Sequence, residues 1–271
     1  MIATTLELTA GLAAGVCYLL AAITLARRVN QAKPITNQAA MGFALPGVVL
    51  HGLVAYLAID TPEGIDLGIQ SSAVLVTWVM AAFVLAASTH IPVASLLILV
   101  LPIALVALLT HLTGDSSVEA RTQLSPQLAL HVLSSIVAYS ILFMAACQSL
   151  VLALQERNLR GRQGIALIRL LPPLETMETL LFSMLWAGIG LLSISIISGF
   201  VYLDDMFAQH VVHHTVLSSA AWIMYAVLLA GHYYAGWRGP RAVRWTLFAF
   251  ALLVLGYFGS KFVLEIILQG Q

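Results

Sequence analysis

The chain has 271 residues, 61% of them apolar and only 9% charged, with a formal net charge of zero at pH 7. Soluble domains carry about 25% charged and 45–50% apolar residues, so a water-soluble enzyme and a disordered chain are both excluded. No basic surface is available to hold phosphates, which excludes nucleic-acid binding.

A transmembrane helix needs about 20 mostly apolar residues, and eight windows meet that requirement. They are Thr5–Ala26, Met41–Ile59, Gln70–Ser88, Pro92–Leu112, Gln127–Leu154, Thr179–Tyr202, Thr215–Tyr234 and Val243–Ile267. None alternates polar with apolar residues as barrel strands do. The expected fold is all-α, a polytopic membrane helix bundle of eight helices forming one domain over residues 1–271. The lipid bilayer is then the first partner, and a multi-pass position in the plasma (inner) membrane the expected location.

The first window lacks a positive flank before it and carries Glu7, so it reads as a retained helix rather than a cleaved leader. Its Gly11 and Gly15 form a small-residue contact motif. Thr61-Pro62-Glu63-Gly64 reads as a turn, and Ser88–Ile91 as a very short connection before Pro92 opens helix 4. Ser125 and Pro126 supply an N-cap and a first-turn proline for helix 5. The stretch Gln163–Leu171 reads as a short interfacial helix. Pro172-Pro173 precedes Glu175 and Glu178, which suit a helix N-terminus. Cys17 and Cys147 lie far apart in apolar runs, with no CxxC and no zinc spacing, and read as small buried hydrophobes.

Positive charge sets the expected orientation. Arg27, Arg28 and Lys33 follow helix 1; Arg157, Arg160, Arg162 and Arg169 follow helix 5; Arg238, Arg241 and Arg244 follow helix 7. The opposite loops hold Asp60, Glu63, Asp66, Asp115, Glu119, Asp204 and Asp205 against a lone Arg121. Lys261 lies near the far end of helix 8 and can snorkel outward. Both termini are therefore expected outside.

Charged residues are nearly absent from the helix centres, which argues against a pump built on a buried carboxylate. Histidine is the chemical resource that remains, at positions 51, 90, 111, 131, 210, 213, 214 and 232. His51 lies about 15 Å into helix 2, near the midplane. It reads either as a core histidine bonded to a neighbouring helix or as an axial ligand to haem iron, which takes a neutral imidazole in an apolar pocket. His232, in Gly231-His232-Tyr233-Tyr234-Ala235-Gly236-Trp237-Arg238-Gly239, reads either as part of an interfacial aromatic belt or as a second ligand. His131 opens helix 5 with Ser134 and Ser135 on the same face. His210 and His214 have the spacing for two imidazoles on one metal if the segment is helical, although a solvated loop is the better reading. His90 and His111 read as interfacial residues at helix ends. No hydrolase signature is present, and GxSxG is absent, so no catalytic residues are assigned and no enzyme is expected.

Four stretches carry a family resemblance: Pro172-Pro173-Leu174-Glu175-Thr176-Met177-Glu178; Leu217-Ser218-Ser219-Ala220-Ala221-Trp222; Gly231-His232-Tyr233 with Gly236-Trp237-Arg238-Gly239; and Tyr257-Phe258-Gly259-Ser260-Lys261. They make the carboxy-terminal half resemble the cytochrome c assembly (CcsA-type) membrane proteins, and within them the YpjD/HemX-like branch. His51 and His131 extend the resemblance towards the N-terminus.

The resemblance implies a haem-handling inner-membrane protein, with haem b as the cofactor and proteins of cytochrome c maturation or other membrane proteins as partners. By position, His51 and His232 match the membrane histidine pair that ligates haem iron, and His131 matches the first external histidine. Two departures stand out. The segment Phe200–Leu217 contains no Trp, where family members that attach haem carry a Trp-rich stretch. No histidine follows His232 to serve as the second external ligand, a role that His210, His213 or His214 would have to take over. Haem binding for cytochrome c assembly or haem trafficking is thus the leading expectation. Arg238 or Arg241 would be available to a haem propionate. The alternatives are a regulatory or accessory subunit of a membrane transport system without haem, and a small-ion transporter using the outer histidines.

Overall fold

A computed structural model describes residues 2–31, 37–61, 64–114, 121–122, 126–161, 171–202 and 212–259. Among the described residues eight α-helices run in chain order: α1 (Ile2–Asn30), α2 (Asn37–Ile59), α3 (Ile69–Ala87), α4 (Leu97–Thr113), α5 (Pro126–Gly161), α6 (Leu174–Tyr202), α7 (Val212–Ala235) and α8 (Pro240–Val254). Among the described residues seven helices are long and apolar enough to cross a membrane. The eighth window, Val243–Ile267, is described only as far as a π-helical turn at Leu255–Gly259. Also outside the described residues lie Lys33, Pro62, Glu63, Asp115, Glu119, Ser125, Arg162, residues 163–170, Asp204, Asp205, His210, Ser260 and Lys261.

The side-chain distribution is that of a protein solvated by lipid. On α1, Ala14, Tyr18, Ala21 and Leu25 have no exposed surface, while Leu12, Val16 and Leu19 are about half exposed. Large apolar residues facing outward make sense where lipid chains replace water, and inward Ala14 and Ala21 allow the tight backbone approach that drives helix association.

The helices divide into two compact units, the first Met1–Gln123 with Arg157–Pro173, the second Leu124–Glu156 with Leu174–Gln271. In the first, α1 packs on α2 and α4, and α3 packs on α2 and α4, closing a four-helix ring. Glycines set the close approaches. A side chain at Gly11 would meet Leu112 of α4, and one at Gly15 would meet Leu105, which accounts for the small-residue motif of helix 1. Gly47 lies under the Tyr18 ring and Gly52 under Trp78. The Trp78 indole N–H reaches across to donate to the Val48 carbonyl at 3.0 Å.

In the second unit α6 packs on α7, and α7 on α8 and its π-helical extension. Leu142 of α5 fits against Gly188 of α6, and the Gln148 side-chain amide donates to the Met177 carbonyl at 3.1 Å.

Helix boundaries depart from the sequence expectation in both directions. α1, α5 and α6 run past the apolar windows because a helix does not stop where the hydrocarbon does; the 36 residues of α5 span about 54 Å at 1.5 Å per residue. Arg157 therefore sits on α5 itself rather than in a connecting loop. α4 begins later than Pro92, after a 3-10 turn at Ala94–Leu96.

A three-stranded antiparallel patch was not foreseen. It joins β1 (Asp60–Thr61), β2 (Gly64–Asp66) and β3 (Arg121–Thr122), pairing Asp60 with Ile65 and Asp66 with Arg121. Gly64 takes a φ of 128° at the predicted turn. The buried Asp66 carboxylate accepts the Gly68 N–H at 2.7 Å, in the turn just before α3 begins at Ile69.

Gly52→Ala places a methyl carbon 2.6 Å from the Trp78 indole nitrogen. Overpacking of this kind costs about 1–3 kcal/mol. Gly42, on the same helix, has open space at its Cβ position, so Gly42→Ala is expected to be neutral or stabilising by about 0.5–1 kcal/mol. Thermal unfolding in detergent, followed by tryptophan fluorescence, separates the two.

Candidate functional site

His232 is held by a piece of local structure that explains the Gly231–Gly239 motif. α7 ends when the Trp237 N–H bonds the Gly231 carbonyl (3.1 Å) and the Gly236 N–H bonds the His232 carbonyl (3.2 Å). The Gly236 bond is the 5→1 bond of an αL cap, with Gly236 in the left-handed conformation it requires (φ 63°). The turn folds the Trp237 indole over Gly231, where a Cβ would lie 2.5 Å from the ring. The Trp237 carbonyl then faces back and lies 2.8 Å from His232 Nδ1. A carbonyl can only accept, so Nδ1 carries the proton and Nε2 the lone pair. Phe182 of α6 stacks on the imidazole at 3.5 Å between ring centroids.

The Pro172–Glu178 motif meets this turn. The Glu178 carboxylate accepts the Gly239 N–H at 2.8 Å, and Gly239 has a φ of 52°. Arg241 lies over the Trp237 ring at 5.9 Å. Tyr233 and Tyr234 are 77% and 84% exposed. With Trp186 and Trp222 they line an apolar groove of about 590 Å³ on α6 and α7 that does not include His232. Those exposed rings fit the aromatic-belt reading, whereas His232 itself is tethered and half-buried. Removing Glu178 takes a charged acceptor from the turn, worth about 1.5–3 kcal/mol. Glu178→Ala should therefore lower the unfolding midpoint, and Glu178→Gln, whose amide oxygen still accepts, should recover most of it.

His131 is fixed in the same manner. Its Nδ1 lies 2.8 Å from the Ser195 carbonyl, with Ser198 Oγ at 3.3 Å, so Nδ1 donates and Nε2 again holds the lone pair. Ser134 and Ser135 both donate to the His131 carbonyl, and Ser135 Oγ lies 2.6 Å from Ser195 Oγ. One further turn along α5, Tyr139 OH lies 3.3 Å from His214 Nε2 and 3.2 Å from Ser218 Oγ. His214 is thus drawn into the helix packing, while His213 is exposed. No group of three or more His, Cys, Asp or Glu able to hold a metal ion occurs among the described residues.

His51 has no exposed surface. Its Nδ1 lies 3.0 Å from the Tyr18 hydroxyl of α1, and the two rings meet edge-on. The Val74 main chain borders the ring, yet Nε2 is buried without a hydrogen-bond partner. An orphaned imidazole nitrogen in an apolar interior is costly and fits a group that supplies a metal. His111, in the last turn of α4, places Nε2 2.7 Å from the Glu7 carboxylate. Sequence reasoning missed that partner, which is 104 residues away.

Long apolar spans carrying tethered histidines define a multi-pass α-helical membrane protein. The chain belongs to the Cytochrome C assembly protein family, whose profile matches residues 44–268. Inner membrane protein YpjD of Escherichia coli K12 is 34% identical over 143 residues, 53% of this chain and 54% of that protein. A 28.8 kDa protein of the nifR3-like 5′ region of Azospirillum brasilense is 36% identical over 141 residues, 51% of this chain and 52% of its own length. Protein HemX of Brevibacillus brevis is 25% identical over 149 residues, covering 54% and 55% of the two chains. The chain spans about half the length of the curated relatives it matches. No solved structure gives a significant match.

Proposed function

We propose that this chain is a haem-binding protein of the inner membrane that assists cytochrome c assembly or haem trafficking and has no bond-forming active site of its own. The observation that carries the reading is the buried, unpartnered Nε2 of His51. A neutral imidazole with one nitrogen bound to oxygen and the other free for metal is the form an axial haem ligand takes. His232, on a different helix, already has Nδ1 tied to an oxygen and the lone pair at Nε2, and would be a second residue to hold haem. His131, with Nδ1 tied to the Ser195 carbonyl, would also contact haem.

When bound, haem supplies the iron centre that these imidazole nitrogens ligate. The chain's cysteines, Cys17 and Cys147, form no CxxCH attachment motif, so haem b held without a thioether bond is the cofactor we assign. Arg238 and Arg241 are exposed beside the His232 turn and suit a propionate. The positive-charge distribution supports both termini outside.

The test is made in cells. Deleting the protein should lower haem-stained cytochrome c. The wild-type chain should restore it, and the His51→Ala, His232→Ala double variant, present at equal level, should not. Full restoration by the double variant would exclude the haem reading and favour the regulatory one.

A further inference from the structure

The hydrogen bond between Tyr18 and His51 can run in either direction, and the surroundings decide which. Neither ring has exposed surface, and the phenol oxygen and Nδ1 are 3.0 Å apart. If Tyr18 donates, Nδ1 is the acceptor and the single stranded group is the Nε2 proton. If Nδ1 donates, two groups are stranded, the phenol proton and the Nε2 lone pair. Each stranded buried polar group costs about 1–3 kcal/mol, so the empty protein adopts the first arrangement, with Tyr18 donating. A metal at Nε2 demands the lone pair there, which moves the proton to Nδ1 and reverses the bond.

We infer that Tyr18 is a positioning residue for His51, and that loading Nε2 reverses the Tyr18–His51 hydrogen bond from phenol-donating to imidazole-donating. This rests on the haem reading above. The fold supports it independently. Gly47 clears the space in which the Tyr18 ring lies, since a Cβ there would sit 2.7 Å from that ring. α1 thereby delivers a hydroxyl to α2 at a depth where water is absent. In the loaded state the phenol oxygen accepts from the ligand imidazole, raising its basicity and favouring ferric over ferrous iron.

The experiment uses the full chain in detergent, with and without added haem, as wild type, Tyr18→Phe and His51→Ala. Nitrogen-15 spectra of the haem-free wild type should show His51 protonated at Nε2, and Tyr18→Phe should lose that preference. Tyr18→Phe should weaken haem binding about 10–100-fold and raise the reduction potential of the haem that still binds. Haem binding and potential unchanged in Tyr18→Phe, with His51→Ala still losing its axial ligand, would overturn the inference and leave the haem reading intact. Haem bound identically by His51→Ala would overturn both. Should Tyr18→Phe fail to fold, the haem-free wild type decides: a His51 protonated at Nδ1 rather than Nε2 contradicts the inference.

Discussion

His51→Ala is expected to destabilise the haem-free protein by about 1–3 kcal/mol for the stranded Tyr18 hydroxyl alone, with a further loss from the cavity left behind. Adding Tyr18→Phe to that variant should restore part of the stability, because it removes the stranded hydroxyl. Removing both partners of a buried hydrogen bond costs less than removing one, and a double-mutant cycle isolates the coupling. Thermal unfolding of the four proteins without haem makes the measurement. A double variant no more stable than His51→Ala would show that the bond contributes nothing to the fold.

Gly231→Val should unhook His232 without touching it. The added side chain begins at a Cβ position 2.5 Å from the Trp237 ring, so the indole must leave α7. The Trp237 carbonyl that accepts from Nδ1 must leave with it. The expected cost is about 1–3 kcal/mol, together with loss of the single His232 tautomer in nitrogen-15 spectra. Gly190→Ala, which meets open space, should change neither. A His232 tautomer that survives Gly231→Val would mean that the turn does not set the ring.

The spans were legible because each is a continuous apolar run, and composition alone required every backbone group to be paired within helices. Their ends were not. Arg157 and Glu178 sit on helices that outrun the hydrocarbon, where hydropathy no longer marks the boundary. The small sheet escaped because its strands are two or three residues long and pair Asp66 with Arg121 across the whole of α3 and α4. The candidate histidines stood out as polar residues in apolar runs, but their tethers did not. Tyr18 is 33 residues from His51, and Ser195 is 64 from His131. Only the His232 tether was readable, because Trp237 follows five residues later within one motif and Gly231 and Gly236 mark the close approach and the cap.

The central proposal is that His51 and His232 hold haem. It is tested most directly by absorption spectra of the detergent-purified protein, oxidised and reduced, beside His51→Ala and His232→Ala. The account predicts a Soret band with sharp low-spin bands on reduction in the wild type, lost or converted to high spin in each variant. A wild type that takes up no haem on reconstitution, or variants with unaltered spectra, would contradict it.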